Sequence, residues 1–215
     1  LGTSYPPSAG SFESKLESLM EPLLALLSQS DSPFFINAYP YFAYKADPSQ
    51  ISLDYVLFEP NAGVVDSNSN TRYNNMLYAQ VDAVYSALSA LGYPNLEVIV
   101  SETGWPSMGD ADEAGATLQN AQTYNGNLFQ LLAQNKGTPL KPNVVLQAYL
   151  FALFNEDMKP GPTSEKNYGL FQPNGIAVYN VGLTGTLSTG STRTVSSGYP
   201  TASADTPSYH ISFAR

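Results

Sequence analysis

The sequence predicts an α/β fold built from parallel strand–helix units, on two observations. First, three short apolar runs, at residues 34–41, 97–102 and 144–151, are typical of buried strands. Second, each gap between them holds apolar residues at helical spacing, at 74–91 and from about 117 to 137. Strands that alternate with helices in this way form parallel sheets with right-handed crossovers. We therefore expect the three runs to be neighbours in one parallel sheet.

The elements outside these units are less regular. Residues 1–10 are rich in Pro, Gly and Ser, which predicts a loop. A helix is expected to begin with Ser11 as its N-cap and to kink or restart at Pro22, because proline removes a helical N–H. Its apolar positions are Leu16, Leu19, Leu23, Leu26 and Leu27. Residues 49–70 predict two short strands around a Pro-Asn-Ala-Gly turn.

The remaining boundaries follow from turn residues and composition. Gly92 is expected to end the first long helix as its C-terminal cap residue. Residues 108–115 form a polar loop rich in Gly and Asp. After residue 183 the composition changes to Ser, Thr, Gly and Pro with few large apolar residues. We therefore expect a domain at 1–183 and a tail or linker without its own core at 184–215.

Composition excludes several classes of function. The 215-residue chain has a formal charge of −9 with only nine Lys plus Arg, so no nucleic-acid partner is expected. No apolar run is long enough to span a membrane, so no membrane partner is expected either. Cysteine is absent and no cluster has metal-ligand spacing, so neither a metal nor another cofactor is expected. Fifteen tyrosines and ten phenylalanines suit stacking on neutral sugars, although aromatic residues more often form a core.

The most informative stretch is residues 98–107, an apolar run that ends in Glu102 and continues as Thr-Gly-Trp-Pro-Ser. Proline cannot continue a central strand, so the chain is expected to turn directly after the glutamate. The local pattern leaves two interpretations open. Glu102 is either a catalytic carboxylate at the C-terminal end of a barrel strand, where such folds perform their chemistry, or a buried glutamate paired with an arginine.

The motif Ser-Glu-Thr-Gly-Trp-Pro, preceded by its apolar run, resembles the signature of the plant β-1,3-glucanase family, glycoside hydrolase family 17. The resemblance extends from Leu1 to about Leu183. It implies a (β/α)8 TIM barrel and a retaining glycosidase whose nucleophile is Glu102. It also implies that this chain holds only the C-terminal βα units, the N-terminal half of the barrel being expected from the same precursor.

A second phrase, residues 154–166, resembles the segment that follows the eighth strand of this family. The resemblance implies that Glu156, Lys159 and Glu165 support the site, whereas a solvated charged loop is the alternative. The family's general acid follows the fourth strand, so it is expected to be absent from this chain. Were it present after all, the candidates would be Glu59, Glu113 and Glu156.

Aromatic and amide residues at strand ends are the candidates for binding sugar. They are also compatible with a purely structural role, as core aromatics or as amides bound to backbone. The predicted substrate-binding residues are Asn37, Tyr39, Tyr41, Phe42, Trp105 and Phe171, and Asn155 is a further amide of the same kind.

The resemblance implies endo-hydrolysis of β-1,3-glucan (callose, laminarin or fungal wall glucan) by a plant-defence enzyme. It also implies secretion to the cell wall, the apoplast or the vacuole. Two alternatives stay open: a carbohydrate-binding but inactive protein, and a structural or allergenic fragment that lacks the general acid. Three strands cannot close a barrel, and open parallel edges invite association. The isolated chain is therefore expected to hydrolyse laminarin negligibly and to dimerise or aggregate.

Overall fold

The computed structural model describes residues 1–181 and the short strand at 212–213. The helices are α1 (Ser14–Gln29), α2 (Pro40–Ala46), α3 (Leu53–Val56), α4 (Met76–Ala90) and α5 (Leu118–Leu132). The strands are β1 (Phe34–Asn37), β2 (Val64–Val65), β3 (Arg72–Tyr73), β4 (Val98–Thr103), β5 (Ala148–Leu150) and β6 (Ser212–Phe213). Two 3₁₀ turns, Pro7–Ala9 and Thr163–Lys166, complete the described elements.

The main sheet has the strand order β1–β4–β5–β6, and all of its pairings are parallel. Asn37 of β1 lies opposite Glu102 of β4, and Thr103 of β4 lies opposite Leu150 of β5. The prediction of three parallel neighbours with Glu102 at their C-terminal edge is therefore confirmed. Strands β1 and β5 are shorter than their apolar runs, because the chain enters α2 at Pro40 and β5 begins only at Ala148, whereas β4 is as long as its run.

Strand β6 lies within the segment that was predicted to be a tail, and it pairs with Tyr149 and Leu150 of β5. Residues 182–211 and 214–215 lie outside the described residues. The predicted division of the chain after residue 183 therefore stays a prediction.

Helices α4 and α5 cover the sheet and form the core with it. Leu77, Val81 and Leu88 of α4 are fully buried, in one cluster with Val98 and Val100 of β4. Helix α5 contributes Ala121, Tyr124 and Leu128 to the same cluster. These are the apolar positions that helical spacing assigns to the inner faces of both helices. The core therefore lies directly behind the strand that carries Glu102.

Polar caps fix where the two long helices begin. The side chain of Asn75 accepts a hydrogen bond from the Tyr78 N–H over 2.8 Å, and that of Thr117 accepts one from the Asn120 N–H over 3.2 Å. Each bond satisfies an N–H that has no partner inside its helix. Gly92 follows α4 with a φ of 90°, a left-handed conformation that glycine adopts without steric cost. The predicted end of α4 is confirmed.

Helix α1 differs from its prediction in two respects. It begins at Ser14, because Ser11 instead forms an extended backbone bridge with Thr3 and cannot act as its N-cap. It also continues through Pro22 without restarting, so of the two predicted effects of this proline only the kink stays a prediction. Of its apolar positions only Leu24 is fully buried, and four leucines that were expected to form one apolar face are exposed: Leu16, Leu19, Leu23 and Leu26. Within the described residues no element covers that face.

The segment at 49–70 contains a helical turn where the first of two strands was expected. Leu53–Val56 forms α3, and the Leu57 N–H donates to the Leu53 carbonyl over 2.9 Å. The apolar run here is too short for its periodicity to separate a strand from a helix. The second strand, β2, is present, but it pairs antiparallel with β3 rather than with residues before the turn.

The described helices are all too short or too polar to cross a bilayer.

Candidate active site

Glu102 lies at the C-terminal end of β4 and is held by two groups from the neighbouring segment. Its Oε2 accepts a hydrogen bond from the Asn37 Nδ2 over 3.1 Å and another from the Tyr39 hydroxyl over 2.9 Å. Asn37 is the last residue of β1, which pairs with β4 in parallel, and Tyr39 follows two positions later as the N-cap of α2. Parallel pairing thus brings residues more than sixty positions apart to one edge of the sheet. Among the described residues, none donates to the other oxygen, Oε1.

The amide of Asn37 is itself oriented by a second bond. The Ser101 hydroxyl donates to the Asn37 Oδ1 over 2.7 Å, so the amide must present its NH₂ group to Glu102. Sequence analysis did not single out Ser101. Its position directly before the glutamate was the only available signal, and that position alone does not indicate a polar contact with the next strand.

Tyr39 is half-buried in a group of aromatic rings. Its ring centroid lies 5.3 Å from that of Phe42, 5.7 Å from that of Tyr168 and 6.4 Å from that of Phe151. Burial raises the pKa of the Tyr39 hydroxyl, and the hydrogen bond to Glu102 raises it further. Tyr39 therefore stays protonated and acts as a hydrogen-bond donor to Glu102 at every working pH.

Lys159, Glu156 and Glu165, which we call the Lys159 cluster, form a network of ion pairs. The ammonium Nζ lies 3.0 Å from the Glu165 Oε2 and 3.2 Å from the Glu156 Oε2. Burial opposes the charge of Lys159, but the hydrogen bonds to Glu165 and Glu156 outweigh it and raise the pKa of the lysine. Lys159 is therefore a fixed positive charge, and the structure brings the three predicted supporting residues together.

Phe151 lies between the Lys159 cluster and the surroundings of Glu102. The Lys159 Nζ lies 4.8 Å from the centroid of the Phe151 ring, a distance that allows a cation–π contact. The same ring packs edge-on against Tyr39 and Tyr168. One aromatic side chain thus connects the lysine to the tyrosine that binds Glu102. Sequence analysis treated Phe151 only as a strand residue.

Two predicted substrate-binding residues cannot contact a sugar. Tyr41 and Trp105 are both 0 % exposed, and their rings pack on each other with centroids 5.2 Å apart. The Trp105 Nε1 donates to the Gly115 carbonyl over 2.8 Å, which satisfies the indole N–H inside the protein. Both predictions are corrected: these side chains support the segment after β4 from within the core.

The other predicted substrate-binding residues occupy different environments. Phe42 is 44 % exposed beside Tyr39, so its ring is free to contact a ligand. Phe171 is partly buried, with its ring 6.2 Å from that of Phe154. Asn155 is buried, and its Oδ1 accepts from the Gly169 N–H over 2.9 Å, so this amide holds backbone. Asn37 and Tyr39 contact Glu102 directly.

The acids considered as alternative proton donors are engaged elsewhere or lie apart from Glu102. Glu113 forms an ion pair with Lys45, and its pKa is lowered to about 2, since hydrogen bonds from Lys45, Ser164 and Asp110 outweigh burial, which raises it. It carries no proton near neutral pH. Glu59 is exposed and lines a separate cavity whose lining residues do not include Glu102. Glu156 is paired with Lys159.

Within the part of the chain that the structure describes, no group of three or more His, Cys, Asp or Glu side chains is placed to hold a metal ion. The described residues bring carboxylates, the Lys159 ammonium, the Tyr39 hydroxyl and the Asn37 amide to this edge of the sheet.

The sequence model of the family described as "Glycosyl hydrolases family 17" matches residues 1–183. The chain belongs to glycosyl hydrolase family 17. Among curated members, it is 59 % identical over 187 residues to glucan endo-1,3-beta-glucosidase 14 of Arabidopsis thaliana, an alignment that covers 87 % of this chain and 48 % of that protein. It is 51 % identical to glucan endo-1,3-beta-D-glucosidase of Olea europaea, over 85 % of this chain and 40 % of that protein.

Solved structures support the same family 17 assignment. The pollen protein CJP38 of Cryptomeria japonica, a β-1,3-glucanase and allergen, superposes with a TM-score of 0.78 at 46 % identity, over 83 % of this chain and 54 % of that chain. One of two plant β-glucan endohydrolases with distinct substrate specificities superposes with a TM-score of 0.75 at 38 % identity, over 84 % and 56 %. The predicted fold class is confirmed: the parallel sheet and its helices are part of a family 17 TIM barrel. This chain spans about half the length of the relatives it matches.

Proposed function

We propose that this family 17 chain carries the nucleophile of a retaining endo-β-1,3-glucanase, and that the nucleophile is Glu102. The observation that carries the proposal is the asymmetric environment of its carboxylate. Asn37 and Tyr39 both bind Oε2, which fixes the plane of the carboxylate and leaves Oε1 for attack. The glucanase activity in the names of its relatives, such as the Arabidopsis and olive proteins, supports the assignment of the substrate.

The proposed reaction is a double displacement. Glu102 Oε1 attacks the anomeric carbon of a glucosyl unit, the bond to the leaving glucan oxygen breaks, and a general acid protonates that oxygen. Water, deprotonated by the same acid residue in its conjugate form, then hydrolyses the glycosyl ester and regenerates both groups. In retaining enzymes the two carboxyl groups lie roughly 5–5.5 Å apart. In this proposal the general acid is the residue that, by resemblance to family 17, follows the fourth strand of the fold, since Glu59, Glu113 and Glu156 are engaged elsewhere or lie apart from Glu102.

The surrounding residues are given three roles in this proposal. Tyr39 and Asn37 orient Glu102 and stabilise its negative charge. In the Lys159 cluster the ammonium of Lys159 holds Glu156 and Glu165 in ion pairs and lies against the Phe151 ring. Phe42, the exposed ring beside Tyr39, stacks on a glucosyl unit. Phe171, partly buried beside Phe154, is a further candidate for contact with the glucan.

The proposed substrate is β-1,3-glucan, including callose, laminarin and fungal wall glucan. The proposed location is outside the plasma membrane, in the cell wall or apoplast, or in the vacuole, where such polymers are encountered. The relative described as an allergen of pollen motivates the further proposal that the protein is allergenic and acts in defence.

The decisive test is covalent trapping with a 2-deoxy-2-fluoro laminaribiosyl fluoride, which forms a glycosyl ester that turns over slowly. We expect proteolysis and mass spectrometry to find the label on Glu102 and no label in Glu102→Gln. Proton NMR of early laminarin digestion should show the β-anomer first, as retention requires. A first-formed α-anomer, or a label on another carboxylate, would contradict the proposal. Calorimetric binding of laminarin without release of reducing sugar would instead indicate the inactive, carbohydrate-binding alternative.

A further inference from the structure

Glu113 is a buried carboxylate that the proposed reaction does not use. It lies in the loop after β4, eleven residues beyond Glu102, and its side chain is only 1 % exposed. A buried carboxylate is costly unless its lone pairs are satisfied. Hydrogen-bond donors of the protein must therefore replace the water that the Glu113 carboxylate loses.

Four donors surround Glu113. The Lys45 Nζ and the Ser164 hydroxyl donate to Oε1 over 2.7 and 2.5 Å. The backbone N–H groups of Ser164 and Asp110 donate to Oε2 over 2.9 and 3.0 Å. Each carboxylate oxygen of Glu113 thus accepts two hydrogen bonds, and all four of these partners among the described residues are donors. An ionised carboxylate, which only accepts, is the side chain that this arrangement fits.

These donors come from segments that follow three neighbouring strands of the sheet. Lys45 belongs to α2, after β1; Asp110 belongs to the loop after β4; and Ser164 belongs to the 3₁₀ turn Thr163–Lys166, after β5. Each of these segments also supplies part of the candidate active site. Asn37 ends β1 and Tyr39 precedes α2. Glu102 lies at the end of β4, and Glu165 belongs to the turn itself.

The turn Thr163–Lys166 has its second attachment on the same loop. Asp110 accepts from the Thr163 N–H over 3.0 Å and from the Thr163 hydroxyl over 2.5 Å. Ser164 is the residue directly before Glu165, which binds Lys159 over 3.0 Å. A displacement of the Ser164 backbone therefore moves the backbone of Glu165 and changes its distance to Lys159.

We propose that Glu113 is a positioning residue: by binding Lys45, Ser164 and Asp110 together, it fixes the Lys159 cluster relative to Glu102. The proposal deepens the proposed glucanase function and, for its kinetic part, rests on it. The lowered pKa of Glu113 agrees with a group that is ionised throughout the range in which such an enzyme works.

The test is a double-mutant cycle that combines Glu113→Gln with Glu165→Gln. Laminarin hydrolysis is measured in a protein that contains both Glu102 and the general acid. The amide that Glu113→Gln introduces turns one acceptor atom into a donor that faces only donors, which weakens the attachment of the turn to Glu113 and leaves its attachment to Asp110. We expect each single variant to lower kcat by about 10- to 100-fold, with little change in KM. Because Glu113 acts through Glu165, the double variant should be scarcely worse than Glu165→Gln alone. If the loss of kcat in the double variant equals the product of the losses in the two single variants, the proposal is overturned.

Asp66 provides a matched control. It too is buried and accepts four hydrogen bonds, from the Ser8 N–H and hydroxyl and from the N–H groups of Asn68 and Ser69. Its pKa is likewise lowered to about 2, because those bonds outweigh its burial. Asp66→Asn should cost a similar amount of stability, yet its effect on kcat should be small and should multiply with that of Glu165→Gln. An equal loss of kcat in Asp66→Asn would show that Glu113 acts only through stability.

A measurement without turnover separates this proposal from the proposed function. Amide hydrogen exchange of a peptide covering residues 159–167 should speed up in Glu113→Gln and stay unchanged in Asp66→Asn. Unchanged exchange in Glu113→Gln would overturn the positioning role even in an active glucanase. If Glu113→Gln does not fold, Ser164→Ala removes one donor only, and the same cycle and exchange measurement apply to it. Absence of glucanase activity in a wild-type protein that includes the general acid would refute the proposed function, and the exchange result would still decide the role of Glu113.

Discussion

The Tyr39 hydroxyl donates to the Oε2 of Glu102 over 2.9 Å, from a residue 63 positions earlier in the chain. The bond exists because β1 and β4 are parallel neighbours, so that their C-terminal ends meet at one edge of the sheet. Asn37 binds the same oxygen. These two hydrogen bonds together fix the orientation of the Glu102 carboxylate.

Replacing Glu102 by Gln should reduce laminarin hydrolysis by at least about a thousandfold in the intact protein, because it removes the nucleophile but keeps the shape of the side chain. Binding of laminari-oligosaccharides, measured by calorimetry, should be nearly unchanged. Glu97→Gln is the matched control, since Glu97 directly precedes β4 at its other end and is bound there by Gln147. That variant should retain wild-type activity. Hydrolysis by Glu102→Gln within a few-fold of the wild type would end the assignment.

Tyr39→Phe should lower kcat by about 10-fold, because it removes one hydrogen bond to a charged group while it keeps the ring contacts. KM should change little. Tyr93→Phe controls for the loss of a phenolic hydroxyl, since the Tyr93 hydroxyl only donates to the Glu21 carbonyl at the surface. An equal kcat for Tyr39→Phe and the wild type would show that this hydrogen bond does not orient the nucleophile.

Phe42 and Trp105 should respond to substitution in opposite ways. Phe42→Ala should raise KM about 3- to 10-fold and lower stability by less than Trp105→Phe does, because the ring of Phe42 is partly exposed for the proposed stacking although it also packs on Tyr39 and Tyr41. Trp105→Phe should leave KM unchanged and lower stability by about 2 kcal/mol, since it opens a cavity and removes one of the hydrogen bonds that the Gly115 carbonyl accepts. Steady-state kinetics and thermal unfolding of both variants check this. A raised KM in Trp105→Phe would show that Trp105 contacts the substrate after all.

Asp82 should make stability fall as pH rises from about 4 to about 6. It is fully buried in α4, and this burial raises its pKa to about 6, although the Leu140 N–H donates to its Oδ2 over 2.8 Å. In the unfolded chain the carboxyl has a pKa near 3.9. Between these values the folded state holds a proton that the unfolded state has lost. Rising pH therefore costs roughly 2 to 3 kcal/mol through this group.

Urea unfolding followed by circular dichroism, at pH 4 to 8, tests the role of Asp82. The stability of Asp82→Asn relative to the wild type should increase with pH and level off above about pH 7, since asparagine can still accept from Leu140 and carries no buried charge. A difference between Asp82→Asn and the wild type that does not change with pH would contradict this role of Asp82.

Much of the sheet and of the chemical site could be predicted from local sequence. The runs that became β1, β4 and β5 are apolar and bounded by turn residues, and the helices between them have clear apolar spacing and caps. Their alternation implies parallel pairing, which places Glu102 at the sheet edge. Glu156, Lys159 and Glu165 lie within ten residues of one another, so a resemblance over one phrase was enough to group them.

What could not be predicted depends on contacts between distant segments. Tyr41 and Trp105 are buried because their rings pack on each other and the Trp105 ring also packs on Tyr124 of α5. An aromatic residue near a site has the same local sequence pattern whether it faces ligand or core. The role of Glu113 requires the meeting of Lys45 and Ser164, which are 119 positions apart. Helix α3 was missed because a four-residue element has no resolvable periodicity.

Trp105 is the only tryptophan in the chain, and it packs between Tyr41 and Tyr124 directly after the strand that carries Glu102. Indole fluorescence from this chain therefore originates at one point, and the two neighbouring phenols transfer excitation to it. A shift of the emission to longer wavelength reports that water has reached the underside of the Glu102 strand. The chain thus contains an intrinsic optical probe of that strand, and local opening there can be followed without a label and without substrate.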